Sequence, residues 1–127
     1  MQVTVVAWLD RCSHLPEAGV HELSITQSVV DTIAERISEK VTGVRLEIGR
    51  LSGVLPDAVR FCFPMVCVGT TLEGAWLDIE QPAGRARCQK CAAEFEPADW
   101  ILLCRCGSAD VAVLAGQELR ITAVEVA

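Results

Sequence analysis

From Leu23 onward the apolar positions follow two rhythms. Val30, Ile33, Ala34, Ile37 and Val41 recur at helical spacing, while Asp31, Glu35, Arg36 and Glu39 fall off that face. The pattern predicts an amphipathic helix. Ser24 and Gln27 fit a capping box at its start, and Gly43 fits its end. "VRLEIG" then alternates: Val44, Leu46 and Ile48 on one side, Arg45 and Glu47 on the other. That is a strand with one wet face. "LPDAVRFCFPMVC" predicts a second helix with Pro56 in its first turn. Pro64 inside it should kink or shorten it. "AWLDIEQ", closed by Pro82, and "ELRITAVEV" predict two more strands.

The order is helix, strand, helix, strand, cysteine-rich insert, strand. This predicts an α+β fold: a small mixed β-sheet covered on one face by two helices, with an inserted zinc-ribbon module. The expected units are 20–84 plus 110–127 for the α/β part and 85–109 for the insert. Residues 1–19 fit poorly, because "RCSHLPEAG" has no period and carries the breakers Pro16 and Gly19.

Length and composition narrow the function. A chain of 127 residues is one domain with at most a small appendage. Its net charge of -6 offers no basic surface for phosphates, which argues against nucleic acid and anionic membranes. No apolar run is long enough to span a bilayer. "MQVTVVAWLDRC" lacks a basic n-region and is a poor signal peptide, so a cytoplasmic chain with reduced thiols is expected.

Seven cysteines make the strongest chemical signal. Cys88 and Cys91 form a Cys-x-x-Cys pair, and Cys104 and Cys106 form a Cys-x-Cys pair. Two knuckles facing each other would supply four thiolates at a tetrahedral point, which suits zinc. Gly107 allows a tight turn under the second pair. Phe95, Trp100, Ile101 and Leu102 are candidates to cover the site. Four thiolates close the coordination sphere, so this Zn(II) would be structural. A dithiol redox pair and buried free cysteines compete with this reading. Cys62 and Cys67, in an apolar helix, read as small core groups. Cys12 and His14 lie close enough to share a metal but carry little weight.

A histidine before a helix is usually a surface residue. If the chain began one residue earlier, however, the free amine, the amide of His21 and its imidazole would form fused chelate rings. Planar nitrogen donors suit Ni(II) or Cu(II). Glu22 could ligate or orient the site from its second shell.

"HELSITQSVVDTI", "VRLEIGRLSGVLPDAVRFCF", "EGAWLDIE", the cysteine pairs and "CGSADV…AGQELRITAVEV" together resemble the HypA/HybF family. The resemblance runs from Val20 to the end. It implies a nickel metallochaperone, not an enzyme, that carries Ni(II) as cargo for maturation of [NiFe]-hydrogenase. It further implies a HypB-type GTPase and the hydrogenase large-subunit precursor as partners. The family's nickel site maps onto His21, with Val20 as the amino-terminal donor. Its zinc ribbon maps onto Cys88, Cys91, Cys104 and Cys106. The family begins Met-His-Glu where this chain has Val20-His21-Glu22. GTG encodes valine internally and methionine at a start, and Pro16-Glu17-Ala18 can encode a ribosome-binding GGAGG. Residues 1–19 are therefore expected to be a gene-start error. The second pair is shorter than the family's commoner Cys-x-x-Cys. A zinc-ribbon protein- or nucleic-acid-interaction module with no nickel role is the alternative.

Overall fold

The computed structural model describes residues 2–3, 7–8, 21–97 and 101–127, with side chains from Glu22 onward. Its elements are β1 (Gln2–Val3), β2 (Ala7–Trp8), α1 (His21–Arg36), β3 (Val41–Ile48), α2 (Pro56–Cys67), β4 (Trp76–Glu80), β5 (Arg85–Cys88), β6 (Glu94–Phe95), β7 (Val111–Ala115) and β8 (Leu119–Val126). One mixed sheet has the order β1-β8-β3-β4, with β2 also on β8. A second sheet, ordered β6-β5-β7, carries the cysteines. The α+β arrangement of two helices and small mixed sheets is the expected one.

α1 begins at His21, three residues before the expected cap. Ser24 is inside it, and its carbonyl accepts the Ser28 hydroxyl at 3.0 Å. Gln27 bonds Asp31 at 2.9 Å and closes no capping box. Thr26 and Thr32 also donate to carbonyls four residues back. Such back-bonding lets hydroxyl residues sit within a helix. The buried face is Ile25, Val29, Val30, Ile33 and Ile37. Ala34, expected on it, is exposed. Val41 and Gly43, expected in and ending the helix, belong instead to β3. A glycine stands there because the Trp76 ring lies where its β-carbon would be.

α2 passes through Pro64 without stopping. The missing amide leaves the Arg60 carbonyl without its helical partner. Pro64 and Arg60 are both exposed, so water can serve that carbonyl and the cost is reduced. Val59, Phe63 and Cys67 point into the core, where they meet α1 and the inner sides of β3 and β8.

The outer face of the sheet is polar. Arg45 of β3 pairs with Asp78 of β4 at 3.2 Å, and Glu47 with Arg120 of β8 at 2.8 Å. The β3–β8 ladder slips twice, at Thr42 and at Thr122. At each slip the threonine hydroxyl bridges the strands: Thr42 to the Glu125 carbonyl at 3.1 Å, Thr122 to the Arg45 carbonyl at 3.2 Å. The side chain supplies a cross-strand bond where a β-bulge interrupts the ladder.

Topology sets one end of this unit apart. A short connection turns α1 into β3, so the two run in opposite directions. About 24 Å of helix matches about 26 Å of strand. α2 runs back again to a β4 that is parallel to β3. The start of α1, the end of β3, the start of α2 and the start of β8 therefore share one end. The cysteine sheet leaves from that same end. It takes in β7, expected with the larger unit, because Val111–Ala115 pair with β5. At the outer edge of β8, Val3 pairs with Val124 and Ala7 with Ile121, both antiparallel.

Candidate metal centres

β5 delivers Cys88 at its last residue, and the chain then turns through Gln89 and Lys90 to Cys91. The Cys88 amide donates to the Ala93 carbonyl at 2.9 Å, and the Ala92 amide to the Cys88 carbonyl at 3.0 Å. The second turn repeats this plan with one residue fewer. The Cys104 amide donates to Ser108 at 3.0 Å, and the Gly107 amide to Cys104 at 2.9 Å. In both turns the residue after the second cysteine has a positive φ: 63° at Ala92 and 89° at Gly107. Cys-x-Cys is thus a knuckle shortened inside its loop, with its framing bonds kept. The Gln89 amide ties the two turns together through the Asp110 carbonyl at 2.8 Å.

The four sulfurs lie within 4.8 Å of one another. Cys88 Sγ is 3.6 Å from Cys106 Sγ, and Cys91 Sγ is 3.5 Å from Cys104 Sγ. A tetrahedral zinc with sulfurs at 2.3 Å separates them by about 3.8 Å, whereas a disulfide needs about 2.05 Å. The donor set therefore fits a tetrahedral thiolate metal and not a disulfide. The first cysteine of each pair is buried and the second exposed, so the cluster has an inner and an outer side.

Local fields separate the thiols. Cys88 is lowered to about 6, chiefly by the Cys91 amide at 3.5 Å, with further help from Lys90 and the Cys106 thiol. At Cys91 the Ala93 amide pulls downward, but the thiols of Cys104 and Cys88 and desolvation outweigh it, and its pKa rises. Glu94 clamps Arg85 and Arg87 at 2.9 Å each. Those guanidiniums, Arg87 foremost, hold its carboxyl below the usual range. Of the expected cover, Phe95 and Leu102 are half-buried, but Ile101 is exposed. Trp100 lies outside the described residues.

His21 is the first residue of α1, and Glu22 is in its first turn. The His21 side chain, Val20, Cys12 and His14 lie outside the described residues. The structure brings the four cysteines together, and it sets the backbone of His21 at the end from which their sheet departs. Cys67 is in the core, where burial pushes its thiol up to about 11, while Cys62 is only half-buried. Among the described residues no helix is long and apolar enough to cross a membrane.

The family described as hydrogenase/urease nickel incorporation, metallochaperone, hypA matches residues 20–126. A hydrogenase maturation factor HypA of Nostoc sp. is 44% identical over 108 residues, 84% of this chain and 96% of that one. Another, of Geobacter sulfurreducens, is 46% identical over 110 residues, covering 84% and 99%. The solution structure of the Ni metallochaperone HypA from Helicobacter pylori has a TM-score of 0.59 at 22% identity, covering 83% of this chain and 96% of that one. At that identity the likeness is one of fold.

Proposed function

The chain belongs to the HypA family of nickel-incorporation metallochaperones, and from that premise we propose how it holds and passes on its cargo. Its role is nickel incorporation in hydrogenase maturation. Ni(II) binds at the first residue of α1, through the imidazole and amide nitrogens of His21. In a chain that begins at residue 20, the α-amino group there completes the chelate, and Glu22 adds a ligand or an orienting contact. Residues 1–19 are a gene-start error on this reading. A chain that keeps them places His21 internally and loses the amine donor.

The observation that carries this reading is where the family match begins. It starts at residue 20, just ahead of the His21-Glu22 that opens α1. Few protein ligands at a chain terminus favour rapid nickel exchange. Cys88, Cys91, Cys104 and Cys106 hold Zn(II), whose closed thiolate sphere has no open position for catalysis. The protein binds and releases metal and is not an enzyme. Its partners are a HypB-type GTPase and the [NiFe]-hydrogenase large-subunit precursor, in the cytoplasm. A generic ribbon module would leave the match outside the cysteine sheet without a cause.

Nickel calorimetry on a chain beginning Met-His21-Glu22 tests the site, with His21→Ala as control. Binding should be lost in the variant. It should also weaken as pH falls, because amine and imidazole must be deprotonated. Equal binding by both chains would remove His21 from the site.

A further inference from the structure

Two crossings join the cysteine sheet to the α/β unit: Gln81–Gly84 leads out and Gly116–Glu118 returns. Between them lies the segment that follows β3. Three consecutive amides of that segment bond to both crossings. Gly49 donates to Glu118 at 2.8 Å, Arg50 to Pro82 at 3.1 Å, and Leu51 to Gly116 at 2.7 Å. The Gly116 amide is taken by both carboxylate oxygens of Glu118 at 3.0 Å.

Three glycines occupy this crossing, and space accounts for all of them. A β-carbon on Gly49 would stand 2.1 Å from the Gly116 carbonyl oxygen. One on Gly116 would stand 2.5 Å from the Gly84 α-carbon, and one on Gly84 2.3 Å from a Leu51 methyl. Gly116 also has φ +105°, but Gly49 and Gly84 have no such backbone demand. Leu51 is only 7% exposed and has little room to retreat. Glycines in linkers ordinarily confer mobility. Here they let three backbones touch.

We propose that Gly49, Gly84, Gly116 and Leu51 form an interlock that fixes the four-cysteine sheet at one orientation on the α/β unit. The interlock sits at the end where α1 begins. A partner that grips the cysteine sheet is then presented to His21 at a set angle. That use rests on the nickel reading; the fixed orientation does not.

Residual dipolar couplings on the full-length, zinc-loaded chain test it. Amides of β3 and β8 and amides of β5 and β7 should fit one alignment tensor. Two unrelated tensors in the unaltered chain would overturn the interlock. Gly49→Ala forces the Gly116 carbonyl away. It should reduce the couplings of the cysteine sheet by about twofold or more relative to the α/β unit, as independent motion averages them. Leu51→Ala removes the plug without adding a clash and should loosen the sheet likewise. It serves as the deciding variant if Gly49→Ala does not fold. Unchanged couplings in a folded variant overturn the proposal. Nickel calorimetry reads the other question: a single tensor with no nickel binding would leave the interlock standing and the nickel reading refuted.

Discussion

The indole of Trp76 lies across the backbone of Gly43, so close that a β-carbon there would stand 1.8 Å from its ring. The two residues are register partners on the parallel strands β3 and β4. Glycine ordinarily weakens a strand interior. Here its missing side chain is the bed for a large aromatic on the otherwise polar sheet face.

Gly43→Ala should therefore displace the indole and destabilise the protein by about 1–3 kcal/mol, the usual cost of overpacking. In a Trp76→Ala background the clash is gone. The same substitution should then be neutral or stabilising by up to about 1 kcal/mol. Urea unfolding of the four chains reads the change of sign. A cost independent of Trp76 would show that the glycine serves something else.

Ala92 takes a positive φ where the second knuckle has Gly107. Left-handed backbone costs a side-chain-bearing residue about 1–2 kcal/mol, part of which glycine returns as entropy. Ala92→Gly should thus stabilise the knuckle by up to about 1 kcal/mol. Metal retention against a competing chelator would show it. Faster metal loss in the variant would contradict the argument.

Removing the metal should make the cysteine sheet open more often, while its knuckles still form, and spare the other sheet. The knuckle bonds of Cys104 and Gln89 are framed by the cluster, whereas Val44 and Leu46 lie in a core it does not touch. After chelation, amide exchange should accelerate at Cys104 and Gln89 and stay slow at Val44 and Leu46. Equal acceleration throughout would mean that the two units unfold as one.

In the metal-free chain Cys88 should ionise before Cys91 wherever the Cys91 amide still reaches its sulfur. Its pKa is lowered to about 6, so the thiolate is present above that pH and protonates below it, while Cys91 is shifted upward. Ultraviolet thiolate absorbance should show a step near pH 6 that Cys88→Ser abolishes. Metal uptake releases the remaining thiol protons, so affinity falls as pH drops. A step surviving the substitution would assign it to another cysteine.

Much of this was legible because alternation and cysteine spacing are local signals. Val44, Leu46 and Ile48 showed their buried side directly, and the four cysteines their common point. What was hidden depended on contacts distant in sequence. Gly43 looked like a helix end because nothing nearby announces that Trp76 will lie on it. Ser24 and Gln27 fit a cap because nothing local to them announces that the helix already opens at His21. Ile101 looked like cover for the cluster, since an apolar residue does not state which way its loop turns. Gly49, Gly84 and Gly116 carry no local signal that they meet in space.

The insertion of the cysteine sheet between β4 and β8 also shapes how the chain reaches its fold. β8 is the last strand made, and it must find β3 across a long gap: Ile48 pairs with Leu119 and Val41 with Val126. Closing such a loop is slow, because its entropy is lost before any contact rewards it. A metal that ties Cys88 to Cys106 would let β5 and β7 form first, and this brings Arg85 beside Ala115. Once β4 lies on β3, the stretch left to close runs from Glu80 to Leu119, and the tie shortens it several-fold, which lowers the closure cost by about 1 kcal/mol. A metal at the four cysteines would thus help to fold a sheet it never touches, by shortening the path to the last strand pairing.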